Sequence, residues 1–241
     1  MNSVYEKIKI YGPVKSFGYI LNELYRRIWM GFYRRSYSQK GEDLVIDKIL
    51  GRRNKGFYID IGANDPSRFS NTKRFYDKGW KGINIEPDYD NFSRIKAARE
   101  RDVNLNIGIA NNDGKLEFYR FVPDTLSTFC KEEADEYVEQ GYNLVEKIEV
   151  SVRKLSDVLK EHCHGREIDF MSIDTEGFDM QVLRSNDWNK FVPKLICIES
   201  VAHTMSGKDN EKDDNHEPFL IKLGYKKVYD NGLNSIYFYE K

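Results

Sequence analysis

Gly56-Phe57-Tyr58-Ile59-Asp60-Ile61-Gly62-Ala63-Asn64-Asp65 is the stretch from which the fold can be read: a short apolar run that ends in an acid and turns at a glycine. Phe57 to Ile61 is rich in β-forming residues and too short for a helix, so it predicts a buried strand. Gly62 permits a tight turn and a close backbone approach to a ligand. A second apolar run, Gly82-Ile83-Asn84-Ile85, ends in Glu86-Pro87 at a distance that suits one βαβ step. In open α/β sheets the ligand lies outside the carboxyl ends of the parallel strands, and an acid at the second strand end can accept both hydroxyls of a ribose. A nucleoside pocket is the expectation.

The glycine pattern separates two cofactor classes. A dinucleotide site calls for G-x-G-x-x-G after the first strand, so that a helix N-terminus meets the pyrophosphate. Here one glycine is followed by Ala63, Asn64, Asp65 and Pro66. A further acid beside the turn repels a pyrophosphate and suits a ligand with a sulfonium and an amino group, such as S-adenosylmethionine. An NAD-dependent oxidoreductase with an atypical glycine turn stays open as an alternative. So does a non-catalytic nucleoside-binding scaffold, against which the number of acidic or polar strand ends speaks.

The chain has 241 residues, 40% hydrophobic and 32% charged, which is enough for one core of good size. Its 38 basic and 39 acidic residues nearly cancel, so no global field recruits a nucleic acid. Cys130, Cys163 and Cys197 are odd in number and lack metal-ligand spacing, which predicts a reducing compartment without structural zinc. With no long apolar span and no signal-peptide core, the expected location is the cytoplasm.

Two domains are expected: an N-terminal helical extension over 1–36 and a cofactor-binding domain over 37–241. In the extension, Phe17, Leu21, Leu24, Tyr25, Ile28, Trp29 and Phe32 form one helical stripe opposite Asn22, Glu23, Arg26 and Arg27. Such a face packs on its own domain or a second copy, or lies on an anionic membrane surface. Ser36 to Asp43 is a polar loop leading into a helix before Gly51, and Gln39 could reach the cofactor end of the sheet. Ser70-Asn71 caps a short helix over Thr72 to Lys78, which Gly79 stops. Another helix runs from Tyr89 to Arg99, and Val103 to Ile109 reads as one strand, followed by a hairpin turn at Asn112-Asp113-Gly114. Residues 123 to 146 are polar and look like an excursion from the sheet, of the kind that carries substrate specificity. Strands at Ile168 to Ile173 and Lys194 to Ile198 end in Asp174-Thr175-Glu176-Gly177 and Glu199-Ser200. A polar loop over 206 to 217, a short helix over Pro218 to Leu223, and a terminal antiparallel hairpin turning at Asp230-Asn231-Gly232 complete the chain.

Several of these stretches together resemble the FkbM-type family of S-adenosylmethionine-dependent methyltransferases. They are Ser38-Gln39 with Glu42-Asp43, Asp60-Ile61-Gly62-Ala63-Asn64, Ser70-Asn71-Thr72, Ile85-Glu86-Pro87, Asp113-Gly114, Val152 to Asp157, Ile173 to Gly177, and Ile198-Glu199. The resemblance covers roughly residues 36 to 240 and implies the class I methyltransferase fold: an α/β, Rossmann-like, seven-stranded sheet, six strands parallel and the last antiparallel, with helices on both faces. It also implies O-methyl transfer to a sugar, polyketide or glycan, with Gln39, Asp60, Gly62, Asn64, Ser70, Asn71, Glu86, Pro87 and Asp174 around the cofactor. One departure is visible. Many relatives place a histidine directly after the last acid, whereas here the order is Glu199-Ser200-Val201-Ala202-His203.

An alcohol acceptor needs a base or a metal. Of His162, His164, His203 and His216, only His203 follows a carboxyl strand end, which makes it the candidate base, with Asp174 and Glu199 beside it. The competing arrangement uses Asp174 and Glu199, with His203, to hold Mg or Mn. Asp174 and Glu176 also have a reading as the cap and dipole partner of the next helix. The expected partner is a small sugar or glycan acceptor, with a homo-oligomer open.

Overall fold

A computed structural model of the chain describes residues 36–200 and 216–240. The expected N-terminal helix, most of the 206–217 loop, and His203 lie outside the described residues.

Among the described residues, ten strands form two sheets. The larger contains β1 (Phe57–Ile61), β2 (Lys81–Ile85), β3 (Val103–Leu105), β7 (Phe170–Ile173), β8 (Leu195–Glu199), β9 (Tyr225–Asp230) and β10 (Asn234–Tyr239), in the order β3-β2-β1-β7-β8-β10-β9. β1 pairs in parallel with β2 and β7, β2 with β3, and β7 with β8, while β10 is antiparallel to both β8 and β9. Six strands therefore run one way and β10 the other, as the class I methyltransferase fold requires. Reversal of strand order on either side of β1 and β7 opens a crevice at their carboxyl ends.

The central strands are buried on both faces, which is why they read as continuous apolar runs. Alternate residues of β1 point opposite ways. Phe57, Ile59 and Ile61 pack with Leu155, Val158 and Leu159 of α5 (Leu155–His162) and with Val182 and Leu183 of α6 (Asp179–Arg184). Tyr58 faces Ile46 of α1 (Glu42–Ile49), Phe75 of α2 (Lys73–Asp77), Trp80 and Phe170. Each such side chain contributes roughly 1.5–3 kcal/mol through burial. The remaining helices among the described residues are α3 (Tyr89–Ala98), α4 (Lys131–Glu139) and α7 (His216–Lys222).

Four expectations change. The stretch from Val103 to Ile109 is two strands: β3 stays in the main sheet, while β4 (Gly108–Ile109) pairs with β6 (Asn143–Arg153). Asn106 holds the bend by donating from Nδ2 to the carbonyls of Glu86 and Pro87, at 2.9 Å each. Gly108 then leaves room for the Phe129 ring, which an added Cβ would meet at 2.5 Å. The turn at Asn112 to Gly114 closes no hairpin, because β4 and β5 (Gly114–Val122) lie on opposite sides of β6. Nor is the 123–146 region simply a loop. It contains a 3-10 turn (Asp124–Leu126), α4 and the start of β6, with a small core of Tyr119, Phe121, Ala134 and Tyr137. Its polar surface masks a helix with one thin apolar face, since only Ala134 and Tyr137 of α4 are buried. His216 begins α7 and is half-buried, with its ring edge-on to Tyr237, so it is not part of a solvated loop.

Among the described residues, no helix is long and apolar enough to cross a membrane. The three cysteines are free thiols.

Candidate active site

The ends of β1, β2, β7 and β8 bring most of the sequence-selected residues to one edge of the sheet. After β1 the chain turns at Gly62, φ +77°, and continues through Asn64, also in the left-handed region at φ +47°. A Cβ on Gly62 would lie 1.8 Å from the backbone carbonyl oxygen of Asp174, so the first turn is pressed directly onto the loop after β7. Only glycine fits, for reasons of both space and backbone angle. Gly62→Ala is expected to cost about 2–4 kcal/mol of stability in urea unfolding, from positive-φ strain plus forced displacement of the neighbouring backbone. Stability like the wild type would mean the two turns are not in contact.

Glu86, directly after β2, is buried. One carboxylate oxygen accepts from the Asn64 amide at 2.7 Å and the other from the Asp88 amide at 2.8 Å. Burial pushes its carboxyl up to about 8, helped by Asp88 and Asp124 and opposed by the two amides. Asp88 in turn caps α3 by accepting from the Asp90 and Asn91 amides. Pro87 lies half-buried between them.

Asp60, Ser70 and Asn71 are buried on either side of the turn in the chain. Asp60, on β1, accepts from the Thr72 hydroxyl, and burial raises its carboxyl. Asn71 Nδ2 donates to Ser172 Oγ at 3.0 Å. Ser70 Oγ accepts from the Thr72 and Lys73 amides at the start of α2, but the N-cap position is Thr72, one residue beyond the expected Ser70-Asn71 pair. Both Ser70 and Thr72 are also bonded to Arg99, a buried residue at the C-terminus of α3. Gln39 is exposed. Around it, Ser38 Oγ donates to the Asp43 carboxylate and accepts from the Asp43 amide, and the buried Glu42 ties the N-terminal loop to the terminal hairpin by accepting from Asn231 and Asn234 at 2.8 and 2.9 Å.

Opposite the Gly62 turn, carboxylate oxygens of Asp174, Glu176 and Glu199 all lie within 4.8 Å of one another. Asp174 is exposed, Glu176 half-buried and Glu199 buried. Burial and the neighbouring carboxylates of Asp174, Glu199 and Glu133 push Glu176 well above the usual range. The capping reading of Asp174 and Glu176 does not hold. α6 begins only at Asp179, its N-cap is Phe178 with no side-chain cap bond, and Asp179 itself accepts from the Thr175 amide. Glu176, at φ +49° before Gly177, instead turns towards α4, where the Tyr137 hydroxyl lies 3.4 Å from its Oε2. Such a set can bind a cation, take a proton from an alcohol, or accept hydroxyl donors.

Sequence reasoning missed Arg99, Glu133 and Tyr137. Arg99 ends a helix and Glu133 stands in an acidic run, so neither carries a local signal. Their partners are distant in the chain.

Residues 60–227 match the family model described as the methyltransferase FkbM domain. No curated protein matches the chain. Among solved structures, a TehB-like S-adenosylmethionine-dependent methyltransferase from Corynebacterium glutamicum is 11% identical, with 90% of this chain and 97% of that one covered and a TM-score of 0.41. A fibrillarin pre-rRNA processing protein from Methanococcus jannaschii is 14% identical, with coverages of 83% and 76% and a TM-score of 0.42. An O-methyltransferase from Bacillus cereus, in complex with SAH, is 11% identical, with coverages of 85% and 83% and a TM-score of 0.38. None of these likenesses bears on the acceptor.

Proposed function

The chain belongs to the FkbM methyltransferase family, and from that premise we propose that it transfers the methyl group of S-adenosylmethionine to a hydroxyl of a sugar, either nucleotide-activated or part of a surface-glycan precursor. The observation that carries the donor half is Glu86: a buried acid at the end of β2, bonded to the amide of the Gly62–Asn64 turn. Its carboxylate accepts the two ribose hydroxyls, and the turn faces the methionine part. NAD would set a pyrophosphate against a turn that has a single glycine and borders an acidic edge, which is unfavourable.

Methyl transfer is an in-line displacement, so the site's task is to hold the acceptor oxygen in contact with the methyl carbon and to accept its proton. Asp174 and Glu199 stand at the strand ends where that oxygen arrives, and His203 follows Glu199 in the chain as the candidate base. The sugar assignment rests on the family, with acidic side chains as suitable acceptors for its hydroxyls. Calorimetric titration with S-adenosylhomocysteine and NAD tests the donor, and a turnover screen over sugar nucleotides tests the acceptor. Saturable NAD binding without any for S-adenosylhomocysteine would overturn the first. Turnover confined to lipid, peptide or nucleic acid would overturn the second.

The spacing of Asp174, Glu176 and Glu199 favours a second reading, in which a divalent ion lowers the acceptor's pKa. With a bound ion, chelator abolishes turnover, Mg or Mn restores it, and Asp174→Asn behaves like the chelated enzyme. With His203 as base, chelator has no effect, and His203→Ala lowers turnover by about a hundredfold or more while donor affinity is kept.

A further inference from the structure

Glu86 is tied to the smaller sheet through the residue two places after it. Its Oε1 accepts from the Asp88 amide, and both oxygens of the buried Asp88 carboxylate are engaged: Oδ1 caps α3, while Oδ2 accepts from Nε of Arg120 on β5. Arg120 also donates to Asp90, at 2.7 Å, and to Glu146 on β6. Those two acids are 72% and 48% exposed and are solvated without it, whereas Asp88, at 5%, depends on the guanidinium for its counter-charge. A second tie leads to the other oxygen of Glu86. Asp124, in the 3-10 turn after β5, pairs with Arg68 at 2.8 Å and with Arg94 at 3.3 Å; Arg68 also donates to Asn64 Oδ1 at 3.4 Å, and the Asn64 amide donates to Glu86 Oε2.

A buried acid beside a second acid keeps its proton to higher pH than one standing alone, and a cation paired with the neighbour cancels that effect. Asp88, just past the end of β2, and Asp124, in the 3-10 turn, are the acids whose charge acts on Glu86 in this way, on top of its burial. Arg120 balances the first of them, and Arg68 and Arg94 the second. We propose that Arg120 is a positioning residue for donor binding: it holds and neutralises Asp88, so that Glu86 meets the ribose hydroxyls as a carboxylate. This rests on the assignment of Glu86 to the ribose made above. The smaller sheet thereby acts on donor affinity from outside the sheet whose strand ends form the site.

The test is calorimetric titration of the full chain with S-adenosylhomocysteine at a series of pH values from about 6 to 9. In Arg120→Gln the pH at which affinity levels off should rise by about half a unit to one unit, which lowers affinity about three- to tenfold at pH 7 but less than about twofold at pH 9. Adding Asp88→Asn keeps a capping side chain and the amide that Glu86 accepts from while removing the unpaired charge, so the double variant should return to within about 0.3 unit of the wild-type profile. Lys115→Gln, which removes an exposed ion pair from the same strand, should change nothing. If Arg120→Gln does not fold, Asp88→Asn alone carries the test: the freed guanidinium should lower the midpoint, and an unchanged midpoint would overturn the proposal. An equal loss of affinity at pH 7 and 9 in Arg120→Gln, no change in it, or a double variant that keeps the shifted profile would each overturn it too, while the donor assignment stands. Wild type that does not bind S-adenosylhomocysteine, or Glu86→Ala with wild-type affinity, would remove that assignment and the proposal together.

Discussion

Glu86→Ala is expected to weaken S-adenosylhomocysteine binding by at least about a hundredfold, since two charge-assisted hydrogen bonds of roughly 1.5–3 kcal/mol each disappear. Affinity like the wild type in a calorimetric titration would mean that the nucleoside sits elsewhere. The same residue gives the binding a pH dependence. With its carboxyl pushed up to about 8, Glu86 is mostly protonated in the free protein at neutral pH, while ribose hydroxyls are best accepted by the carboxylate. Affinity should therefore rise as pH increases towards 8, by up to about tenfold per unit, and level off above it, with a proton released on binding below that pH. Stability runs the other way. The native state holds this proton between its ordinary value of 4.5 and about 8, where the unfolded chain has lost it, so the contribution of Glu86 to stability declines as pH rises through that window and stays low above it. Glu86→Gln should flatten both slopes.

The second large effect is expected at Arg99, which is 1% exposed. A guanidinium has five N–H groups, and here all five are bonded. Nε donates to the Pro66 carbonyl at 3.3 Å, one terminal nitrogen to Tyr58 Oη and Thr72 Oγ1 at 2.9 and 3.2 Å, and the other to the Pro66 carbonyl and Ser70 Oγ at 2.8 and 3.0 Å. Two of those acceptors pass the interaction on, Thr72 to the Asp60 carboxylate and Tyr58 to that of Asp102. Burial raises both acids, and the Arg99 charge pulls both back down. Arg99→Met would leave this network without its cation and the Pro66 carbonyl without its donors. A loss of about 3–5 kcal/mol follows, and with it a drop in melting temperature on the order of 10 °C. Because Pro66, Ser70 and Thr72 all follow the Gly62 turn in the chain, donor affinity should fall too. A stability loss below about 1 kcal/mol would show that the network does not hold the turn.

Much of the main sheet could be read from local pattern. The strand from Phe57 to Ile61, its glycine turn, the acid at 86 and the terminal hairpin are each specified by neighbours in the chain: apolar runs, a positive-φ position, and turn residues. Period and composition suffice there because parallel strands buried on both faces tolerate little else. Residues 123–146 resisted that reading because the helix inside them buries only Ala134 and Tyr137, a face too narrow to give a periodic signal. The break at Asn106 was hidden for a related reason, since residues 103–109 alternate smoothly while their hydrogen-bond partners change from β2 to β6. The capping role suggested for Asp174 and Glu176 failed because the N-cap position is Phe178, which follows both acids in the chain. What the sequence alone determined is the set of strand ends and the acids at them, through hydrophobic periodicity and the backbone freedom of glycine. Only the tertiary structure decided which acids meet, that Arg99 gathers Pro66, Ser70 and Thr72 after the Gly62 turn, and that Glu133 fills the recess at Gly177. Those contacts join residues tens of positions apart, and their energy depends on burial and on partners that no local window contains.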